Sequence, residues 1–324
     1  MLLVAGYLWI LGVAGWMTGA IYFDVGKRLG HRSLLVGLWI ASVGVLLFGS
    51  PSVAFSITAI STALACFLLW WFRQQPSHEG NWDPDFARLP QLTLVEDPPG
   101  RSLVVKNLRN SEYSGTGKSD VRYEVAEFPS DQVTAVDALI VFWGSQWICH
   151  PMAIFEFENQ RHLCFSIEVR YREGEEYAVL PSLYRQHELM YVVSTERDAI
   201  LRRVVYHNTV DCYLYRLQVS PAFAQQLLSE YIAATNRIAD HPKWYNVITS
   251  NCTTEIFSNR REKTPWDWRM LINGQFDRML YDRGLLASDR PFETLKSQSQ
   301  INQRALQAGR EDFSRSIRTG LPGF

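Results

Sequence analysis

Hydrophobic residues are spread unevenly along the chain, and its N-terminal part holds the longest uncharged runs. Residues 2–23 carry no charge, and a second uncharged run, 34–72, is interrupted by the turn-forming residues 49–52. A helix needs about 20 apolar residues to cross a bilayer. The pattern therefore predicts three transmembrane helices, at about 2–23, 34–49 and 53–72, in a membrane anchor formed by residues 1–72.

Beyond residue 72 the pattern changes to that of a soluble domain. Residues 73–100 are polar and rich in proline, which is typical of a linker. Short segments rich in β-branched and aromatic residues follow, separated by turn residues. They predict seven strands, at 102–107, 120–127, 137–143, 150–157, 162–170, 189–194 and 210–217.

Helical periodicity appears in the second half of this domain. Ser220 and Pro221 suit the N-cap and first position of a helix, and the apolar spacing predicts that helix over 221–239. A second helix is expected from about Cys252, and shorter ones at 275–286 and 291–308. Residues 101–324 are therefore predicted to form an α+β domain with a strand-rich first half.

Residues 150–170 alternate with the period of two that a β-strand requires. The odd positions on both predicted strands are apolar and form a core face. The even positions include His150 and Glu168, which a turn centred on Asn159 would place opposite each other. A carboxylate beside an imidazole fixes its tautomer and raises its basicity. A solvated pair on an outer face is the alternative interpretation.

Cys252 lies where an extended segment changes to a helical one. Ser250 or Asn251 suits the cap of a helix that begins there, and a thiol at a helix N-terminus faces N–H groups that favour the thiolate. Burial as an inert core thiol is the alternative. A nucleophilic cysteine also needs a histidine and a residue that orients it, and His150 and Glu168 can supply both.

Composition and charge narrow the function classes. The net charge of −1 lacks the basic excess that nucleic-acid binding requires. The five cysteines include no CxxC pair and no regular spacing. Neither a zinc site nor a disulfide framework is therefore expected, and no metal or organic cofactor is indicated.

Six motifs in a fixed order give the soluble part a family resemblance. They are WDPDFARLP (82–90), FWGSQWICH (142–150), SIEVRYREGEEY (166–177), YRQHELMYVVSTERD (184–198), WYNVITSNCTTEI (244–256) and WRMLINGQFDRMLYDRGLL (268–286). Over roughly 82–324 the chain resembles the DUF4105 family, also described as the Lnb N-terminal periplasmic domain. That family is similar to the circularly permuted NlpC/P60, papain-like superfamily. The resemblance implies a permuted papain-like domain with an antiparallel sheet packed on helices.

The resemblance also implies an extracytoplasmic, membrane-associated enzyme, since one branch of the family is linked to N-acylation of bacterial lipoproteins. By position it makes Cys252 the nucleophile, His150 the general base and Glu168 the orienting carboxylate. We expect an acyltransferase that moves an acyl chain from membrane phospholipid through a Cys252 thioester to an amine, the lipoprotein N-terminus. A cysteine hydrolase acting on a peptide, amide or lipid ester is the alternative, as is a non-catalytic membrane-anchored binding domain.

Other residues in the matching motifs are candidates for supporting roles. Arg170, Asn251 and Tyr245 are expected to contribute to substrate binding. Holding Glu168 or forming a structural salt bridge are the other roles open to Arg170. Cys149 stands where the family usually has a small polar residue, and its side chain should point to the opposite face of the strand from that of His150.

Two signals disagree about location. Lys27, Arg28 and Arg32 lie between the first two predicted spans, and the positive-inside rule places that linker in the cytoplasm. With three spans the soluble domain would then be cytoplasmic too. The family resemblance implies the opposite side. We follow the family and expect a multi-pass protein of the bacterial inner membrane, with a cytoplasmic N-terminus and a periplasmic catalytic domain.

Overall fold

The computed structural model describes residues 2–98, 100–258, 265, 267–270 and 273–324, and the chain divides into two compact units. The first unit comprises Met1–Glu79, Glu176–Glu188 and Pro242–Val247. The second comprises Gly80–Glu175, Leu189–His241 and Ile248–Phe324. The predicted nucleophile, base and carboxylate all belong to the second unit.

The first unit is built from the apolar N-terminal helices. They are α1 (Leu2–Ala20), continued by a π-helical turn (Ile21–Val25), then α2 (Gly26–Leu29), α3 (Arg32–Phe48) and α4 (Val53–Phe72). Leu3–Val25 and Val53–Phe72 are long and apolar enough to cross a membrane. Helix α3 has 17 residues. At 1.5 Å per residue it is about 26 Å long, shorter than a hydrocarbon core of about 30 Å.

Buried Asp24 joins these helices to the segment Glu176–Glu188 within the first unit. Trp71 Nε1 donates to Asp24 Oδ2 at 2.7 Å. Gln186 Nε2 and the backbone N–H of Arg185 donate to Oδ1 at 2.7 and 3.1 Å. A buried carboxylate needs such donors to offset its desolvation, so Asp24 fixes the position of this segment.

A mixed sheet forms the centre of the second unit. Its strands are β1 (Gln91–Asp97), β2 (Gly100–Arg109), β5 (Tyr123–Pro129), β6 (Val133–Phe142), β7 (Cys149–Phe157), β8 (His162–Arg170), β9 (Glu188–Thr195) and β10 (Asp211–Arg216), while β3 (Glu112–Gly115) and β4 (Lys118–Asp120) form a separate hairpin. A two-residue strand, Lys243–Trp244, lies in the first unit. The sheet order is β1-β2-β9-β8-β7-β6-β10, with β5 also paired to β2.

All seven predicted strands are confirmed. Strands β1, β3 and β4 were not predicted, and β1 falls inside the segment interpreted as a linker. Strands β2 and β9 pair in parallel. The sheet is therefore mixed, whereas an antiparallel sheet was expected. The pairs β1–β2, β2–β5, β6–β7, β7–β8 and β6–β10 are antiparallel.

Helices and short turns complete the second unit. They are α5 (Glu196–Leu201), continued by a π-helical turn (Arg202–His207), α6 (Pro221–Asp240), α7 (Cys252–Ser258), α8 (Phe276–Asp282), α9 (Phe292–Gln298), α10 (Asn302–Gln307) and α11 (Phe313–Arg318). Short 3₁₀ turns lie at Pro84–Phe86, Trp268–Met270 and Asn273–Gln275, and another, Pro181–Leu183, belongs to the first unit. The helices predicted at 221–239 and from Cys252 are confirmed, and Ser220 caps α6 by accepting the N–H of Phe223 at 3.2 Å.

Helices cover both faces of the sheet at the β7–β8 hairpin. On the odd-numbered face, Phe155 and Phe165 meet Tyr231 of α6, with ring centroids 5.6 and 5.3 Å apart. On the even-numbered face, Met152 and Ile154 pack in a cluster with residues of α5, α10 and α11. The even-numbered face is therefore buried, and the interpretation of a solvated outer face is wrong.

The hairpin has the predicted register. Ala153 lies opposite Phe165, which centres the turn on Asn159. The pairing ends at Ala153 and Phe165, but the same register extended by three residues along each strand would put His150 opposite Glu168, and His150 Nε2 lies 3.2 Å from Glu168 Oε1. Strand pairing alone therefore brings the predicted base beside the predicted carboxylate.

Candidate active site

Helix α7 begins at Cys252 because Asn251 caps it. Asn251 Oδ1 accepts the backbone N–H groups of Thr253 and Thr254, both at 2.9 Å. In return the backbone N–H of Asn251 donates to Thr254 Oγ1 at 2.8 Å. This reciprocal pair of bonds is a capping box, with threonine in place of the usual acid or amide. The side-chain oxygen of Asn251, a residue expected to bind substrate, thus fixes the backbone that carries the thiol.

The Cys252 thiol and the His150 imidazole meet inside the second unit. Cys252 is 5% exposed, and its thiol forms a side-chain hydrogen bond with His150. His150 Nε2 lies 2.7 Å from Ser166 Oγ and 3.2 Å from Glu168 Oε1. Ser166 Oγ donates to Glu168 Oε1 at 2.5 Å, so the serine oxygen accepts the Nε2–H. A thiol, an imidazole, a hydroxyl and a carboxylate are therefore linked in series.

Arg203 completes this series at its far end. Its guanidinium forms an ion pair with Glu168 Oε1, and the two side chains are only 4% and 13% exposed. The π-helical turn Arg202–His207 delivers Arg203 to the carboxylate, and such wide turns are frequent at functional sites. We call Cys252, His150, Ser166, Glu168 and Arg203 the relay.

Neither Ser166 nor Arg203 was predicted as a site residue from the sequence. Ser166 lies on the same strand face as Glu168, but alternation alone does not show that its hydroxyl reaches the imidazole. The signal for Arg203 was a pair of arginines inside the apolar run AILRRVV (199–205), because a buried cation requires a carboxylate partner.

The charges of the relay support one another. Burial alone would raise the pKa of Glu168, but the positive charges of Arg203 and His150 hold that pKa well below its usual range. Burial alone would lower the pKa of His150, but the charge of Glu168 and the hydrogen bonds with Cys252 and Glu168 raise it to about 9. The fold therefore favours an ionised carboxylate and a protonated imidazole.

Trp143 and His207 lie against the Arg203 end of the relay. The Trp143 and His207 rings meet edge to face with centroids 4.9 Å apart, and the Arg203 guanidinium lies 5.5 Å from the Trp143 ring. Burial, together with the charges of Arg203 and Arg202, lowers the pKa of His207 to about 3. His207 is therefore uncharged at neutral pH and adds no charge beside Arg203.

Arg170 and Tyr245 occupy other environments. Buried Arg170 donates from Nε to Phe86 O at 3.0 Å and from Nη2 to Ala87 O at 2.9 Å, and it stacks 4.1 Å from the Trp82 ring. It thereby holds the segment that precedes β1. Tyr245 is buried and belongs to the first unit, whereas the relay belongs to the second.

The remaining thiols of the second unit are core residues. All five cysteines lie among the described residues, and none of them forms a disulfide bond. Cys149, Cys164 and Cys212 are buried, and burial raises the pKa of each, to about 12 for Cys212. Cys149 packs among apolar residues near α8, in keeping with its predicted orientation away from His150. Among the described residues, no group of three or more His, Cys, Asp or Glu side chains is placed to hold a metal ion.

Comparison with known proteins places this site in a recognised domain. Residues 120–274 match the family described as the Lnb N-terminal periplasmic domain. The predicted family resemblance is thus confirmed. The Lnb-like segment contains every residue of the relay, and together with the apolar N-terminal helices it indicates a membrane-anchored protein with a periplasmic domain. No curated protein and no solved structure shows a significant match, and the wider NlpC/P60 relationship stays a prediction.

Proposed function

We propose that this protein is a cysteine-dependent acyltransferase that takes an acyl chain from membrane phospholipid and transfers it to an amine. The observation that carries the proposal is the position of His150. Its ring is hydrogen-bonded to the Cys252 thiol on one side and to the Ser166–Glu168 pair on the other. A nucleophile, a base and a group that orients the base are the parts that covalent thiol catalysis needs.

In the first half-reaction Cys252 accepts the acyl chain. The reacting form has a neutral His150, whose Nδ1 accepts the thiol proton while Cys252 Sγ attacks the ester carbonyl of a phospholipid. The tetrahedral intermediate then collapses, the bond from carbonyl carbon to glycerol oxygen breaks, and that oxygen takes the proton from His150. A lysophospholipid leaves and a thioester remains on Cys252.

In the second half-reaction an amine takes the acyl chain. The neutral amine attacks the thioester carbonyl and gives a proton to His150, and the bond from carbon to sulfur breaks. His150 returns the proton to Cys252, and an amide leaves. The α-amino group of a lipoprotein N-terminus is the acceptor that the family resemblance favours.

Glu168, Ser166 and Arg203 support both half-reactions by stabilising the imidazolium form of His150. Glu168 supplies the opposite charge, Ser166 fixes the ring through Nε2, and Arg203 keeps the carboxylate ionised. To protonate a leaving group, a general acid must carry its proton at the working pH. A raised pKa therefore keeps a proton available for the leaving group.

The N-terminal helices favour a lipid donor over a soluble peptide. Two of them are long and apolar enough to cross a membrane, so the domain works within reach of a bilayer. We place the protein in the bacterial inner membrane as a multi-pass protein with its catalytic domain in the periplasm. Digestion of the second unit by protease added to spheroplasts, with intact cells as the control, tests this placement.

Intact-mass analysis tests the reaction. The purified full chain is incubated with phospholipid vesicles, and wild type is compared with Cys252→Ala, His150→Ala and Cys149→Ala. We expect a hydroxylamine-labile acyl adduct on wild type and on Cys149→Ala, and none on Cys252→Ala. The adduct should persist until a primary amine or a diacylglyceryl peptide is added.

Other outcomes would support the alternative functions. An adduct that decays in water at the same rate with and without an amine identifies a hydrolase. The absence of an adduct, combined with slow alkylation of Cys252 by iodoacetamide near neutral pH, identifies a binding domain with an inert thiol.

A further inference from the structure

The loop that leads into the relay exposes three large apolar side chains. Residues 143–148 (WGSQWI) join β6 to β7 and end next to Cys149 and His150. Trp143, Trp147 and Ile148 are 39%, 55% and 46% exposed, and the loop contains no charged residue. A cluster of large exposed apolar side chains marks an interaction surface more often than isolated ones do.

The loop is held in place on the second unit. Trp147 N–H donates to Ser145 Oγ at 3.2 Å, and Ile148 N–H donates to Ser145 O at 3.4 Å. Gly274 lies so close that a Cβ built on it would come within 2.1 Å of the Trp147 carbonyl carbon. The packing therefore presents Trp147 and Ile148 outward although burial of both in the core would be favourable.

A bilayer surface is the partner that this loop fits. The same chain carries two helices able to cross a membrane, so the loop works within tether length of lipid. Tryptophan is enriched at membrane interfaces because its ring is apolar and its N–H is polar. Without charged residues, the loop can enter the interface with no charge to desolvate.

We propose that residues 143–148 insert into the membrane interface and bring the relay to the ester carbonyls of phospholipids. The benefit to catalysis rests on the proposed function, whereas insertion itself does not. Trp143 contacts Arg203 and His207, so it connects the inserted loop with the relay. Trp147 and Ile148 provide the outermost apolar contacts.

Photolabelling tests insertion without any need for catalysis. The full-length Cys252→Ala chain is reconstituted in phosphatidylcholine vesicles that contain a phospholipid with a diazirine on its acyl chain. After irradiation, lipid adducts are mapped by peptide mass spectrometry. We expect adducts on residues 143–148, reduced by about fivefold in Trp147→Glu and Ile148→Glu because a carboxylate resists transfer into the interface. Leu306→Glu, which changes an exposed leucine on α10, should leave the labelling unchanged.

The apolar helices serve as the internal control of this experiment. Labelled peptides from Val53–Phe72 together with no label on 143–148 would overturn the proposal. Cross-linking of the loop to a second copy of the chain would overturn it too, since a protein would then be the occupant.

A second measurement links insertion to activity. We expect Trp147→Glu and Ile148→Glu to slow acyl-adduct formation from vesicle phospholipid by about tenfold, the equivalent of roughly 1.4 kcal/mol. The rate with dihexanoyl-phosphatidylcholine below its micelle concentration should be unchanged, because no interface must then be entered. Equal losses with both donors would contradict the role of the loop. If wild type forms no adduct with either donor, the proposed function fails and the photolabelling alone decides whether the loop inserts.

Discussion

Removing the charge of Glu168 should change how stability depends on pH. Glu168→Gln keeps the shape of the side chain but removes the charge that raises the pKa of His150 to about 9. Burial then dominates, and the pKa of His150 should fall to 6.5 or below. The imidazolium would no longer be favoured by folding.

The magnitude follows from the two pKa values of His150 in wild type. The difference between about 9 in the folded state and 6.5 in the unfolded state corresponds to roughly 3 kcal/mol at 1.36 kcal/mol per pKa unit. Because the folded value is the higher one, this stabilisation is fully present below pH 6.5 and is lost as the pH rises through 9. The depressed pKa of Glu168 acts below this window, so its own titration contributes nothing there.

The free energy of unfolding of the second unit can be measured through a core thiol. Cys164 is fully buried in β8, so a brief thiol-labelling pulse in urea, followed by peptide mass analysis, reports the unfolded fraction. Wild type should exceed Glu168→Gln in stability by roughly 3 kcal/mol more at pH 5.5 than at pH 10. Glu124→Gln, which alters an exposed carboxylate bonded to Asn110, should show no such pH dependence. A stability difference between wild type and Glu168→Gln that is equal at both pH values would show that Glu168 does not raise the pKa of His150.

Three further substitutions, each compared with a control variant, test the residues that hold the site and the 143–148 loop in place. The free energy of unfolding is measured by the same thiol labelling in urea. Arg203→Met should lower the free energy of unfolding by roughly 3–5 kcal/mol because buried Glu168 loses its cation. Arg203→Lys, which keeps the positive charge, should lose less. Equal losses in the two variants would argue against a charge effect. Asn251→Ala should lower the free energy of unfolding by about 1 kcal/mol because α7 loses its N-cap, and Asn251→Asp, which keeps a side-chain oxygen, should lower it much less. Equal losses would show that the cap does not act through its oxygen. Gly274→Ala should lower the free energy of unfolding by about 1–3 kcal/mol because the new methyl meets the Trp147 backbone. Gly115→Ala, whose methyl would come no closer than 4.0 Å to Cδ of Lys118, should leave it nearly unchanged. Similar losses in the two variants would contradict the close approach of Gly274 to Trp147.

The hairpin that carries the base was predictable because its information is local. Alternating apolar residues define which face of β7 and β8 is turned to the core, and a turn centred on Asn159 fixes the pairing. Because the two strands are adjacent, His150 and Glu168 then lie side by side. The capped start of α7 at Cys252 is equally local, since the cap lies next to the thiol.

The rest of the site depends on contacts between distant parts of the chain. Arg203 reaches Glu168 only because a π-helical turn packs on the even-numbered face of the sheet. The spacing of apolar residues along the sequence does not predict that turn. The helices that cover this face, α5, α10 and α11, have six residues each. Such short helices are stabilised by packing more than by their own propensity, so their amphipathic pattern is weak. Burial of the relay was unpredictable for the same reason.

The distribution of thiols has a consequence for oxidation. A periplasmic domain folds in an oxidising compartment, where exposed thiols are soon paired or oxidised. Cys149, Cys164 and Cys212 are kept protonated by burial, and protonated thiols neither attack disulfides nor react readily with peroxides. Three of the four thiols in the second unit are thus protected from disulfide exchange and oxidation, and Cys252, the thiol that the imidazole contacts, is the one that the proposed function requires to react.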